Sequence, residues 1–141
     1  MKFIIIFFLL LFSLVSCSKE NSVSRKLEGN WTVDFMQIQD GEGFTYFDSL
    51  PNGTFTFVSH QKVISANVAY QFVNLNGFSV KDTFSVNQEK YVFNSNYDRI
   101  FFKINSDSIN ARIILITKKS MELEYYDIVK YRLVRFILSK D

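Results

Sequence analysis

Alternation of apolar and polar side chains recurs along most of this chain, and no other feature narrows its fold as far. Ile64, Ala66, Val68, Tyr70 and Phe72 fall on one side of a stretch whose other side carries Ser65, Asn67 and Gln71. A period of two is the geometry of an extended strand with one buried face, whereas a helix would space its apolar residues three and four apart. The same pattern is seen in Trp31, Val33 and Phe35 against Thr32 and Asp34, and in Phe78, Val80, Phe84 and Val86 against Ser79, Lys81, Thr83 and Ser85. It returns in Tyr91 and Phe93, in Ile100, Phe102 and Ile104, and in Met121, Leu123 and Tyr125. Turn residues punctuate these runs at Asp40-Gly41-Glu42-Gly43, Pro51-Asn52-Gly53, Ser59-His60-Gln61, Asn76-Gly77, Asn87-Gln88, Asn94-Ser95-Asn96 and Lys118-Lys119. Sixteen Phe and seven Tyr beside a single Pro point the same way, because aromatic residues favour a pleated, half-buried surface.

The expected fold is therefore all-β and antiparallel, with about eight to nine strands. Short sequential hairpins favour an up-and-down β-barrel, and a two-sheet β-sandwich is the alternative. The segment from Gln39 to Gly53 is expected to be a long loop carrying a short element around Phe44 to Leu50. Two places break the pattern. Asp82 falls on the apolar side of its run, so Lys81-Asp82 is expected to turn the chain between two shorter strands. A buried Asp82 would instead need a hydrogen-bond partner or a wet cavity. The last strand, from Val129 to Leu138, changes its apolar side between Leu133 and Val134, which predicts a bulge.

The amino terminus carries a different signal. Behind Lys2, residues 3 to 17 form an apolar run ending at Cys17, the only cysteine. A positive start, an apolar middle and a small residue before the end describe a secretory signal, and the run is shorter than the ~20 residues a membrane span needs. Leu14-Val15-Ser16-Cys17 resembles the lipobox of bacterial lipoproteins. That resemblance implies a signal peptide over 1–16, a diacylglycerol-bearing Cys17 as the first mature residue, and a membrane partner reached through the lipid. It also implies the cell envelope, with the outer membrane favoured because Ser18 replaces the aspartate that retains many lipoproteins in the inner membrane. The periplasmic and surface leaflets both remain open. Residues 17–26 are then the lipidated cysteine and a polar, irregular tether, and 27–141 the folded domain. With Cys17 acylated, the mature chain keeps no thiol for a disulfide, a metal or a nucleophile.

Most chemistry lacks its residues. His60 is the only histidine and is expected on a surface turn. The chain holds no Gly-x-Ser-x-Gly, no phosphate loop and no His-Glu-x-x-His. Asp34, Asp40, Glu42 and Asp48 gather near the first loop, but their spacing departs from a calcium loop and reads as a solvated surface. No metal site, cofactor or enzymatic activity is expected. Sixteen Lys and Arg against fourteen Asp and Glu give no dense basic surface for nucleic acid.

Leu27-Glu28-Gly29-Asn30-Trp31 resembles the Gly-x-Trp start of lipocalins, in the form common to lipocalin-like lipoproteins of Bacteroidota. Ile113 to Tyr125 and Tyr131-Arg132-Leu133 resemble the closing hairpins of that group. The resemblance implies structural roles for Gly29 and Trp31, with Arg132 or Arg135 of the final strand laid over the Trp31 ring as a cation on an aromatic face. It also implies a small hydrophobic or amphipathic ligand. Should a pocket exist, Tyr70, Asp82, Tyr91 and Tyr125 share faces with its expected lining, since phenols among Phe rings suit an amphipathic guest. The alternative is a structural or interaction lipoprotein with a filled core, acting as an accessory subunit or inhibitor toward a protein partner the sequence does not identify.

Overall fold

A computed structural model describes residues 19–48 and 50–140. The lipobox and Cys17 lie outside the described residues. Ten strands follow a short helix: β1 (Gly29–Asp40), β2 (Thr45–Asp48), β3 (Asn52–Val58), β4 (Val63–Val73), β5 (Ser79–Lys90), β6 (Val92–Phe93), β7 (Arg99–Ile104), β8 (Asp107–Ile116), β9 (Ser120–Asp127) and β10 (Arg132–Ser139). Short β2 and β6 account for the excess over the expected eight to nine.

All strands belong to one antiparallel sheet in the order β5-β4-β3-β1-β10-β9-β8-β7-β6, with β2 added on β1. This is an up-and-down meander in which the first strand pairs the last, and not a two-sheet sandwich. Inward residues from distant strands meet across the interior: Phe55 of β3, Phe84 of β5 and Phe136 of β10 pack with ring centroids 5.0 to 5.5 Å apart. The sheet thus coils around a common core, but no hydrogen-bonded ladder joins β5 to β6 or β7, and the barrel is not closed. That unpaired line is the seam of the molecule.

Local departures from strict alternation have visible causes. In β1 the register with β10 slips between Val33 and Phe35, so Asp34 is an extra residue. Met36 and Ile38 therefore turn inward, while Phe35 leaves the face of Trp31 and Val33 and packs on Phe47 outside, 5.7 Å between centroids. Asn87 and Gln88 do not end a strand. They form a bulge opposite Ser65 within a continuous β5, with Gln88 at a φ of 51°. Asn76-Gly77 does turn the chain, Gly77 taking a φ of 78° beneath a hydrogen bond from Asn74 N to Phe78 O.

The expected irregular tether is helical over 19–27. Its last turn places Val23 and Leu27 against the core, Leu27 fully buried. Trp31 Nε1 donates to Leu27 O at 2.8 Å, and Gly29 adopts a φ of 108° that lets the chain leave the helix and enter β1. The cation over the Trp31 ring is neither Arg132 nor Arg135. Lys140 Nζ lies 4.5 Å from the Trp31 centroid and donates to the carbonyls of Lys26 and Glu28. A basic residue just beyond the final strand reaches this end of the barrel, whereas Arg132 begins that strand and lies at the other.

Candidate ligand-binding cavity

Tyr70 and Asp82 are register partners on β4 and β5, and both sit on the inward parity of their strands. Asp82 lies within one uninterrupted strand, so the expected chain reversal at Lys81-Asp82 does not occur. Opposite them, Arg132 heads β10. The alternation there is regular, with Arg132, Val134, Phe136 and Leu138 buried and Leu133 facing out. The predicted parity switch after Leu133 is absent because the inward position at its start is filled by an arginine.

Arg132 crosses the interior to reach the far wall. Its Nη2 donates to the Tyr70 hydroxyl and, at 2.8 Å, to Asp82 Oδ2, while Tyr70 donates to the same oxygen at 2.8 Å. Lys130, on the β9–β10 turn, donates to Asp82 as well, and Thr83 N binds the other carboxylate oxygen. Arg132 Nε is buried without a hydrogen bond and lies 3.5 Å from Asp127 Oδ2. Charges follow from this packing. Burial works to raise the Asp82 pKa, but hydrogen bonds from Lys130, Tyr70 and Arg132 outweigh it and hold the carboxyl well below the usual range. Burial is the main cause that raises the Tyr70 and Tyr125 phenols, so both stay neutral. Burial also opposes the charge on Arg132, yet the hydrogen bond and charge of the Asp82 carboxylate prevail and strengthen it.

Beside this network lies a cavity of about 500 Å³. Phe84 and Tyr125 form its floor, their centroids 5.3 Å apart, and the packed rings below them fill the centre of the barrel. Ile104, Ile109 and Ile128 supply further apolar wall, and Tyr70, Lys130 and Arg132 the polar one. The cavity reaches the seam, with Thr83 to Ser85 of β5 on one side and the β7–β8 turn on the other.

Of the predicted site residues, the fold brings Tyr70, Asp82 and Tyr125 together and adds Arg132 from the structural group. Tyr91 is elsewhere, at the helix end, edge-on to Phe57 and Phe93. Arg135 faces outward and pairs Glu124 at 3.0 Å. Lys130 and Asp127 were not foreseen, since the turn between β9 and β10 carries no signal that it folds over a carboxylate on β5. His60 is exposed on the β3–β4 turn. Among the described residues no group of His, Cys, Asp and Glu is arranged to hold a metal, and no helix is long and apolar enough to cross a membrane.

Fold and cavity together define an all-β meander coiled around an aromatic core, with a ligand-sized opening at one end. No protein-family model and no curated protein matches the chain in sequence. Among solved structures it is similar to a deswapped triple mutant of bovine odorant binding protein, at 9% identity over 82% of this chain and 74% of that one, TM-score 0.43. It is similar also to the bovine lipocalin allergen Bos d 2, at 9% identity over 84% and 75%, TM-score 0.42. A redesigned β-barrel aligns at 12% identity over 84% and 95%, TM-score 0.37. The strand order and the cavity lining stand independently of these likenesses.

Proposed function

We propose that the protein binds a small hydrophobic or amphipathic ligand in this cavity, and that it does so in the cell envelope, anchored through lipid on Cys17. One observation carries the binding reading: an apolar floor of Phe84 and Tyr125 meets a polar wall of Tyr70, Lys130 and Arg132 in a space of about 500 Å³. Small-molecule sites commonly enclose roughly 300–1,000 Å³ with mostly apolar walls and a few convergent polar groups. The hydrocarbon body of the guest lies on the rings. Its acceptor atom faces the cationic side of the cavity, Lys130 and Arg132. The anchoring reading rests on Leu14-Val15-Ser16-Cys17, and the outer membrane on Ser18.

Titration of the full-length chain with an environment-sensitive hydrophobic dye tests the cavity. Saturable uptake is expected, about tenfold weaker in Ile109→Phe, which pushes a larger ring into the space. Equal uptake by both proteins would place the dye elsewhere and remove the assignment. Incorporation of labelled palmitate, lost in Cys17→Ser, is the matching expectation for the anchor. The aromatic filling of the barrel centre supports a second reading, an interaction protein with no ligand. No dye uptake, combined with a stoichiometric protein partner from detergent-solubilised membranes, would favour it.

A further inference from the structure

The turns at the two ends of the barrel differ in kind. At the helix end they read Ser59-His60-Gln61-Lys62, Asn94-Ser95-Asn96 and Thr117-Lys118-Lys119, all polar. At the cavity end, apart from the polar β7–β8 turn of Asn105 and Ser106, large apolar side chains stand in water. Leu75 and Phe78 flank the β4–β5 turn, Ile128, Val129 and Tyr131 lie on the β9–β10 turn, and Phe44 ends the β1–β2 turn, each 43% to 69% exposed. Turn geometry asks for Gly, Asn or Asp and supplies no reason for such residues, whereas exposed apolar surface rimmed by polar groups marks a site of interaction.

These tips are neighbours. Gly41 abuts Tyr131, and Lys130 ties the β9–β10 turn to Asp82 on β5. Ile128 and Val129 also line the cavity, so the apolar rim runs into the pocket without a break. Lys130 is matched by Asp82 and Arg132 by Asp82 and Asp127, while exposed Lys81 and Lys103 stand at the same end as exposed Glu42 and Asp107, so this end carries no basic excess.

We infer that this rim docks on a lipid surface, and that the ligand passes between that surface and the cavity through the docked face. A fluid apolar phase can meet side chains carried on separate hairpin tips around an opening, which present no single flat face to a rigid partner. Because this end carries no basic excess, a zwitterionic surface suffices and anionic lipid adds little. Passage of the ligand rests on the binding reading given above; the docking does not.

Trp31 is the only tryptophan and is fully buried at the helix end, so it provides an internal reference. The full-length chain and its Phe78→Trp, Val129→Trp and His60→Trp variants are mixed with phosphatidylcholine vesicles, plain or brominated in the acyl chains. Bromine is expected to remove about half the emission added by Phe78→Trp and Val129→Trp, with little change in wild type, whereas His60→Trp, beside the helix, reports lipid held by the amino-terminal segment. Replacing part of the lipid with phosphatidylglycerol should alter that quenching less than about twofold. Unquenched tips would overturn the docking, whether His60→Trp is quenched because the amino-terminal segment alone holds the chain, or the tips crosslink to a protein instead. Far-ultraviolet circular dichroism identifies any variant that fails to fold, and Leu75→Trp then replaces it. Dye uptake without vesicles separates the two readings: quenched tips with no uptake leave the docking and remove the ligand.

Discussion

Arg132 has the same inward parity as Val134, Phe136 and Leu138, a position where an unpaired charge would be costly, and it persists because Asp82 and Tyr70 arrive from the opposite wall. Removing one member should therefore cost more than removing both. Asp82→Ala leaves Arg132 buried without its main counter-charge and is expected to destabilise the fold by roughly 3 kcal/mol, while adding Arg132→Met recovers part of that loss. A double-mutant cycle by urea unfolding measures the difference. The sign of the pH dependence follows from the depressed Asp82 carboxyl. Its contribution is complete above the unfolded value of about 4 and is lost as pH falls through the folded one, so acid unfolding of Asp82→Asn should be the less steep below about pH 4. In the sequence Arg132 is legible as a basic residue of the final strand, but only as one of two candidates, with Arg135, for the ring of Trp31. Its inward position left only an indirect trace, the apparent change of parity after Leu133, because the partner that makes it tolerable lies 50 residues away.

Most strands were readable because a half-buried strand writes its geometry into alternate residues, but Lys81-Asp82 and Asn87-Gln88 imitate turns inside the continuous β5. The helix at 19–27 was not readable. Ser18 to Arg25 is polar along most of its length, and short helices are marginal in water without tertiary support. That support comes from Val23 and Leu27 on the core, from Trp31 Nε1, and from Lys140 at the far end of the chain, which caps the carbonyls of Lys26 and Glu28. Leu27→Ala should cost about 3 kcal/mol, the usual loss for a fully buried leucine, and Trp31 emission should shift to the red as its cover loosens. Thermal unfolding followed at Trp31 reports both. The bulge at Asp34 was equally invisible, since Trp31, Val33 and Phe35 fit one face of a regular strand and only pairing with β10 turns Phe35 outward.

Across the whole molecule, the seam between β5 and β6–β7 is where the sheet is least tied together. Amides on the free edge of β5 and in β6 should exchange with deuterium about a hundredfold faster than those between β1 and β10, a pattern that mass spectrometry resolves by segment. A ligand held in the cavity against Thr83 to Ser85 would slow the β5 edge, which gives the cavity reading a second readout. Alternation and turn chemistry are local properties of the chain, so the sequence by itself determined an all-β antiparallel fold and most of its core, though not that Phe35 and Phe78 face outward. Which inward residues meet is set by closure over long separations. Only the tertiary structure therefore joined Tyr70, Asp82 and Arg132, moved Tyr91 to the opposite end, gave Trp31 to Lys140, and left a cavity where the aromatic packing stops.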